Sequence, residues 1–385
     1  MSIIQVANLW FESTANNRIQ YGGSNNISII AAGSTVGTVN STAIAVGSSV
    51  VNTTAVAVGS NVTVNTSTIF VGNSTVNTAL SATSFSINGN NLSPFNLRNK
   101  IINGGMSIDQ RNSGASQTFT AAAALAYCVD RWYGYCTGAN VTGKRVAGSS
   151  QSQYRYQFTG AASVTAIGFG QRIEALNSYD LNNTTATLSV DLANSLLTTV
   201  TWTAYYANTA DTFGSLAVPT RTQIATGTFT VTSTVTRYTT QITIPSNATT
   251  GIEIVFTVGA QTSGTWTIGN VQLEPGSVAT PFEVRPYGLE FAMCQRYYQL
   301  YTVGQQYMGS INISQIYTPY SLPVTMRVSP TASVSVQFQY YSGGSGVNIT
   351  PTFGSSPGQF TVFSPGSLTN CNGIAAGTAA LSSEL

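Results

Sequence analysis

Apolar and polar residues alternate with a period of two along much of this chain. The alternation is clearest in six short segments, which are residues 184–192, 199–206, 227–235, 238–244, 252–258 and 264–273. Such alternation predicts strands with one apolar face, and no helical pattern separates the segments. Strands that follow one another at short intervals predict an all-β domain of the β-sandwich or jelly-roll type.

A degenerate repeat precedes this region. Its units begin at Gly33, Gly47, Gly59 and Gly72, so the starts are 14, 12 and 13 residues apart. Each unit opens with a Gly-Ser or Gly-Asn turn signal and ends in an alternating run such as AIAV. A low-complexity linker would lack these regularly placed apolar residues. The repeat predicts a β stalk whose units bury their apolar faces against each other or against other copies, as in an intertwined homotrimer.

One short segment has a helical pattern. Residues 289–298, LEFAMCQRYY, carry one stripe of Leu289, Met293 and Tyr297 and a second of Phe291, Cys294 and Tyr298. A helix that is apolar over most of its circumference is expected to be buried. The sequence therefore predicts a short buried helix, followed by a second β module.

Charged residues are unusually scarce. They make up 7% of the chain, where about 25% is usual, and none lies between Arg18 and Arg98. Stacked identical chains would bring like charges into register, so their absence fits a trimeric stalk. With only two lysines, Lys100 and Lys144, the chain has no basic stripe, and nucleic acid is not an expected partner. No apolar run reaches the length of a membrane span, so membrane insertion is not predicted either.

The chain has no histidine. This excludes a histidine-based triad, acid/base pair or metal site. Glu274 and Glu283 are the one imaginable glycosidase pair, but the neighbouring Pro275 and Pro281 favour a rigid connection. The sequence therefore predicts a protein that is not an enzyme and has no cofactor and no metal.

Four cysteines are present, Cys128, Cys136, Cys294 and Cys371. Their spacing matches no zinc pattern. Buried free thiols are the favoured interpretation, because free cysteine packs as a small hydrophobe. A disulfide between Cys128 and Cys136 is the alternative.

Two polar stretches could bind a ligand. In IINGGMSIDQRNSG, residues 101–114, Asp109 and Arg111 are two apart and would share one face of a strand. An internal ion pair that fixes the start of the sandwich is favoured over a sugar-binding pair.

The second stretch is YCVDRWYGYC, residues 127–136. Aromatic rings beside Asp and Arg suit carbohydrate, because the rings stack on sugar C–H faces while polar groups bind hydroxyls. Trp132 is expected in the core. The candidate glycan contacts are Asp130, Tyr133, Tyr135 and Trp202.

Four motifs in order resemble a block found in tail-fibre and other virion proteins of tailed bacteriophages. They lie at residues 103–111 (NGGMSIDQR), 130–132 (DRW), 272–283 (QLEPGSVATPFE) and 294–298 (CQRYY). The resemblance implies a jelly-roll-like module, often carbohydrate-binding, on a homotrimeric virion appendage.

The expected organisation follows from the repeat and this resemblance. It comprises a virion attachment segment (1–30), an uncharged β stalk (31–96), a jelly-roll-like sandwich (97–287), a short buried helix (288–299) and a C-terminal β module (300–385). The predicted partners are two further copies of the chain, other virion proteins bound through the N-terminal segment, and host surface polysaccharide. The alternatives are a capsid decoration or tail adaptor that binds no ligand, and a tailspike depolymerase.

Overall fold

The computed structural model divides the chain into two compact units, Met1–Asn96 and Leu97–Leu385. In the first unit it describes the strands of one sheet, β1 to β12, and in the second it describes all residues except 123, 150, 151, 314–316, 336, 343, 344, 350, 351 and 364–367. None of the helices it describes is long and apolar enough to span a membrane.

Unit 1 is one antiparallel sheet in which each strand pairs with the next along the chain. Strands β1 to β12 are Asn8–Trp10, Arg18–Tyr21, Ile27–Ala31, Ser34–Val39, Ala43–Val46, Ser49–Asn52, Ala55–Val58, Val62–Asn65, Thr68–Gly72, Asn77–Ser81, Phe85–Ile87 and Asn90–Leu92. Each repeat contributes two of these strands. Of the predicted attachment segment, 1–30, all but β1, β2 and most of β3 lies outside the described residues.

The larger part of unit 2 is a β-sandwich of two six-stranded antiparallel sheets, as the alternation predicts. Strands β13 to β24 are Gln117–Phe119, Ala126–Tyr127, Tyr133–Thr137, Val141–Ser149, Ser152–Thr159, Ala166–Ile173, Thr185–Asn194, Thr199–Ala207, Arg221–Thr230, Thr236–Thr243, Ile252–Val258 and Thr265–Pro275. We call the sheet with strand order β14-β15-β18-β23-β20-β21 the front sheet, and the sheet with order β13-β16-β17-β24-β19-β22 the back sheet.

Aromatic rings fill the space between the two sheets. Trp132 is fully buried, as expected from the sequence, and stacks on Phe169 with ring centroids 4.7 Å apart. Phe158 in turn stacks on Trp266 at 5.4 Å. Burying large aromatic side chains is a major stabilising contribution, so these inward rings fix which face of each strand is left for solvent.

The helical segments are short. They are α1 (Ala175–Ser178), α2 (Tyr287–Gln295) and two 3-10 turns, Tyr179–Leu181 and Ala248–Thr250. In α2 only Glu290 and Cys294 are buried, and Leu289 is 41% exposed. The short buried helix predicted for 288–299 is therefore only partly buried. The helix ends at Gln295, so the stripe that would have run on to Tyr297 is interrupted.

The remaining strands form two small sheets. Strands β25 to β32 are Tyr298–Ile313, Tyr317–Ser321, Thr331–Val334, Gln337–Ser342, Ser345–Ile349, Thr352–Ser356, Gln359–Phe363 and Leu368–Ser382. One sheet has the order β25-β32-β28-β29 with β27 also on β32, and the other the order β26-β31-β30. Phe360 and Leu381 are fully buried in their shared core. The residues after β32 return to the sandwich region, where Glu384 pairs with Arg131.

Candidate functional site

The prediction that Asp130 contacts a ligand is wrong, because its side chain has no exposed surface. Its carboxylate accepts a hydrogen bond from the Gln110 backbone N–H at 3.0 Å and lies 3.6 Å from Arg111. Burial raises the pKa of Asp130, while Arg111 and the Gln110 hydrogen bonds act in the opposite direction. The residue holds the 101–114 segment against the sandwich.

The neighbouring pair Asp109 and Arg111 does not form the ion pair that the sequence suggested. Residues 101–114 form turns rather than a strand, so spacing by two does not place side chains on one face. Asp109 accepts hydrogen bonds from the backbone N–H groups of Asn112 at 3.0 Å and Gly114 at 2.6 Å. Arg111 instead pairs with Glu384 at 3.1 Å and stacks over Tyr298, 3.7 Å from its ring centroid. Both residues stabilise the fold.

Tyr133 also lies beyond the reach of a ligand. It is fully buried, and its hydroxyl donates to Oε1 of Glu253 at 2.7 Å. Desolvation raises its pKa, against the charges of Arg172 and Arg221. The candidate Tyr133 is therefore corrected to a structural residue.

Trp202 is a core residue and not a contact. It is 6% exposed and belongs to the cluster between the sheets. Its ring packs over Gly227, where an added Cβ would come within 2.8 Å of the indole. The glycine therefore provides the space that this tryptophan occupies.

Tyr135 is the one candidate that the structure places on an accessible surface. Its half-buried ring lies across Gly168 of the neighbouring strand, and a Cβ there would meet the ring carbon Cζ at 2.1 Å. Desolvation raises the pKa of Tyr135, while the charge of Arg221 lowers it and Tyr205 raises it further. Tyr135, Tyr205 and Arg221 thus lie close enough to interact electrostatically.

The register of the front sheet defines the surface around these rings. Tyr135 pairs with Gly168, which pairs with Thr257, and Thr257 pairs with Thr201, which pairs with Thr228. Cross-strand partners project on the same side of a sheet. We use the name front face for eight of the outward residues that retain exposure, which are Tyr135, Thr201, Thr203, Tyr205, Arg221, Thr226, Thr228 and Thr257.

Alternation along β20 explains why Tyr205 belongs to this surface. Val200, Trp202 and Ala204 are buried, so Thr201, Thr203 and Tyr205 project to the opposite side. Trp202, and not Tyr205, was the contact predicted from this strand. With Trp202 in the core, the period of two in TVTWTAYY places Tyr205 on the opposite, outward side.

A buried ion cluster borders the front face. Glu253 has no exposed surface and accepts hydrogen bonds from Tyr133, Arg172 and Arg221. The guanidinium of Arg221 lies over the ring of Tyr205, 4.2 Å from its centroid. This cation–π contact fixes the orientation of both groups at the surface.

An open cavity of about 530 Å³ continues the front face at the end opposite to this cluster. Thr201 and Thr257 belong to both, and Ala166, Leu197 and Gly259 complete much of its lining. The cavity and the threonine rows together offer a surface with many hydroxyl groups and two aromatic rings. Such a surface can form hydrogen bonds and stacking contacts with a ligand that carries hydroxyls.

The two carboxylates considered as a glycosidase pair, Glu274 and Glu283, accept hydrogen bonds from their own chain. Glu274 is fully buried and accepts hydrogen bonds from the backbone N–H of Thr280 at 2.8 Å and from its hydroxyl at 2.6 Å. Glu283 accepts hydrogen bonds from the backbone N–H groups of Leu97 and Asn99. Both carboxylates therefore fasten loop segments beside the back sheet.

The cysteines with described side chains are free and buried. Cys128 Sγ donates to the Trp132 carbonyl at 3.3 Å and Cys136 Sγ to the Phe119 carbonyl at 3.2 Å. The favoured interpretation of free thiols is confirmed for Cys128, Cys136 and Cys294, and the disulfide alternative is wrong. Desolvation raises the pKa of Cys128 to about 12. Within the described part of the chain no group of three or more His, Cys, Asp or Glu residues could hold a metal ion.

Comparisons with known proteins find similarity at the level of structure. No protein-family model and no curated protein matches the chain. A solved structure of the enzymatically active domain of bacteriophage CBA120 tailspike protein 4 is similar, with 17% identity and a TM-score of 0.29 over 46% of this chain. The match spans 22% of that tailspike chain.

Carbohydrate-binding modules are also similar. The module TmCBM61, solved with beta-1,4-galactotriose, matches at 13% identity over 38% of this chain and 88% of its own, with a TM-score of 0.27. The family 11 module of a Clostridium thermocellum cellulosomal cellulase matches at 11% identity over 44% of this chain and 99% of its own, with a TM-score of 0.27. At this distance the likenesses concern the fold alone and assign no family.

Proposed function

We propose that this protein is a homotrimeric bacteriophage virion fibre whose jelly-roll-like sandwich binds host surface glycans through the front face. The observation that carries the proposal is the pair of partly exposed rings, Tyr135 and Tyr205, beside threonine rows on the uncovered part of the front sheet. Pyranose rings stack on aromatic faces, and hydroxyl side chains can both donate to and accept from sugar hydroxyls. This combination favours an extended polymer over a small molecule held in a closed pocket.

The virion role rests on the N-terminal unit. Its repeats supply two strands each, and the absence of charge between Arg18 and Arg98 suits identical chains stacked in register. Three copies on one fibre and several fibres on one particle would turn weak sugar contacts into strong attachment by raising the effective concentration. The attachment segment, 1–30, would connect the fibre to other virion proteins.

A binding role without catalysis is part of the proposal. Glu274 and Glu283 are occupied by backbone and side-chain donors of their own chain. A glycosidase needs an acid and a second carboxylate that both face the scissile bond. The hydrogen bonds of these two residues are better explained as structural contacts that hold the 276–283 and 97–99 segments in place.

The test uses the full-length chain on a glycan array that includes bacterial surface polysaccharides. Binding by the wild type is expected, with at least a tenfold loss in Tyr135→Ala and in Tyr205→Ala, since ring–sugar stacking supplies much of the contact. Tyr179→Ala is the matched control, because Tyr179 is 64% exposed but lies outside the front face.

Three outcomes would contradict parts of the proposal. A folded wild type that binds no glycan would favour the non-binding decoration or adaptor protein. Release of reducing ends that stops in Glu274→Gln or Glu283→Gln would identify a depolymerase. Sedimentation of the intact chain as a stable monomer would overturn the trimeric stalk.

A further inference from the structure

Two arginines of the front sheet share one carboxylate. The six strands contain Arg172, Arg221 and a single acidic residue, Glu253, to which both arginines are ion-paired. Each guanidinium nitrogen of Arg172 has a partner: Nε donates to Glu253 at 2.7 Å, Nη1 to the backbone oxygen of Leu385 at 2.6 Å and Nη2 to the Gly214 carbonyl at 2.8 Å. The nitrogens without a described partner therefore belong to Arg221.

Arg221 is held in place but keeps one edge open. Its Nη1 donates to Oε2 of Glu253, and its plane lies over the ring of Tyr205. No described residue accepts a hydrogen bond from its Nε or Nη2, and neither atom belongs to the buried polar atoms that lack partners. The N–H bonds of Nε and Nη2 point the same way on one edge of the guanidinium, which matches the two oxygens of a carboxylate.

Arg221 lies directly beside one ring of the front face, because its guanidinium contacts the ring of Tyr205. Desolvation raises the pKa of Tyr135, the other ring of this face, and the charge of Arg221 partly offsets that rise. A sugar stacked on either ring would place its exocyclic substituents within reach of the guanidinium. Because Tyr205 and Glu253 already fix the side chain, little conformational entropy would be lost when it binds an anion.

We infer that the front face selects acidic polysaccharide, with Nε and Nη2 of Arg221 binding the carboxylate of a uronic acid whose ring lies against Tyr135 or Tyr205. This inference rests on the proposed glycan-binding function and names the class of glycan. A sulfate group presents the same paired oxygens, so a sulfated chain belongs in the test.

The test measures binding of the full-length chain by calorimetry to three oligosaccharides of equal length: a galacturonic acid oligomer, its carboxyl-reduced neutral form and a sulfated galactose oligomer. The galacturonic acid oligomer is expected to bind at least about tenfold tighter than the neutral form, since charge-assisted bidentate hydrogen bonds are the strong ones. That preference should shrink as salt is added. A tighter complex with the sulfated chain would support an acidic ligand and identify sulfate as its source.

Substitutions of Arg221 assign the effect to one side chain. Arg221→Gln is expected to remove the tenfold preference, because it removes the charge and the fork together, and therefore to weaken the acidic complex far more than the neutral one. Arg221→Lys should restore only part of the preference, since an ammonium cannot form the bidentate contact. Glu253 keeps Arg172 and Tyr133 as partners in both variants, so the fold is retained.

The matched control is Arg237→Gln in the back sheet. Arg237 also shares a carboxylate with a second arginine, because Asp191 lies 3.1 Å from Arg237 and 3.2 Å from Arg155. Its replacement should leave the preference unchanged. Equal binding of acidic and neutral oligomers, or equal losses for both in Arg221→Gln, would overturn the inference and leave the proposed function standing. A folded wild type that binds none of the three oligomers and nothing on the glycan array would overturn both.

Discussion

The two sheets of the sandwich carry the same ionic arrangement and use it differently. In the front sheet Glu253 lies between Arg172 and Arg221, and in the back sheet Asp191 lies between Arg155 and Arg237. In each case one carboxylate pairs with an arginine of the adjacent strand and with an arginine two strands away.

The surroundings of these two trios, each made of one carboxylate and two arginines, differ. In the back sheet Arg237 also donates to the Asn270 carbonyl at 2.8 Å, and its guanidinium lies 6.0 Å from the ring centroid of Phe282, which belongs to a loop segment. In the front sheet Arg221 contacts Tyr205, a residue of the sheet itself, and keeps an edge open. An ion cluster on a sheet therefore does not by itself indicate a binding site. Whether its arginines are available to a ligand depends on which segments cover them.

The largest expected effect is on stability, and it differs between variants of the two carboxylates, Glu253 and Asp191. Glu253 has no exposed side-chain surface, while that of Asp191 is 11% exposed. Glu253→Ala leaves two arginines and the Tyr133 hydroxyl without their shared acceptor, and we expect it to lower the free energy of unfolding by about 3–5 kcal/mol. Asp191→Ala is expected to cost roughly half as much, because one of its two arginine partners, Arg237, has a side chain that is 25% exposed and can be hydrated.

Urea unfolding followed by tryptophan fluorescence would measure both variants, since Trp132 and Trp266 lie in the core between the sheets. An Asp191→Ala variant less stable than Glu253→Ala would contradict the stated order. It would mean that the back-sheet trio carries more of the sandwich's stability than the front-sheet trio.

A second, smaller effect is expected from two glycines with equivalent roles. Gly168 lies under the ring of Tyr135, and Gly269 lies under the side chain of Arg155, where an added Cβ would meet Cγ at 2.7 Å. Gly168→Ala should displace the Tyr135 ring and abolish much of the glycan binding, at a stability cost of about 1–2 kcal/mol from overpacking. Gly269→Ala should cost a similar amount of stability without changing binding.

Thermal unfolding and the glycan assay, run on both glycine variants, would check this pair. Retained binding in Gly168→Ala would show that the position of the Tyr135 ring does not matter. Tyr205 would then have to supply the stacking contact alone.

Local patterns in the sequence predicted the sandwich, because apolar and polar residues alternate within each strand. The predicted strand 252–258 coincides with β23, and Trp132 is in the core as alternation suggested. No local pattern of this kind shows which distant strands pair with each other. Tyr133 was a reasonable contact until Glu253, 120 positions away, was found to accept its hydroxyl.

The same limit explains the misassigned polar motifs. Asp109 and Arg111 are close in sequence, yet Arg111 pairs with Glu384, which lies 273 positions further along. The sequence identified Tyr135 through its aromatic neighbours but could not show that Gly168 would lie beneath it. Residue types and spacing therefore pointed to the strand that carries Tyr135, whereas the exposure of each side chain on that strand depended on the packing of the whole sheet.

The smallest expected effect tests the threonine rows rather than the rings. Thr201→Val keeps the size and β-branching of the side chain, so the strand should be unaffected while one front-face hydroxyl is lost. A single hydrogen bond of this kind contributes about 0.5–1.5 kcal/mol, which predicts a two- to tenfold weaker glycan complex. The control is Thr239→Val, an exposed position of β22 in the back sheet. Equal affinities of Thr201→Val and Thr239→Val in calorimetry would show that the rings and Arg221 bind the sugar without the threonine hydroxyls.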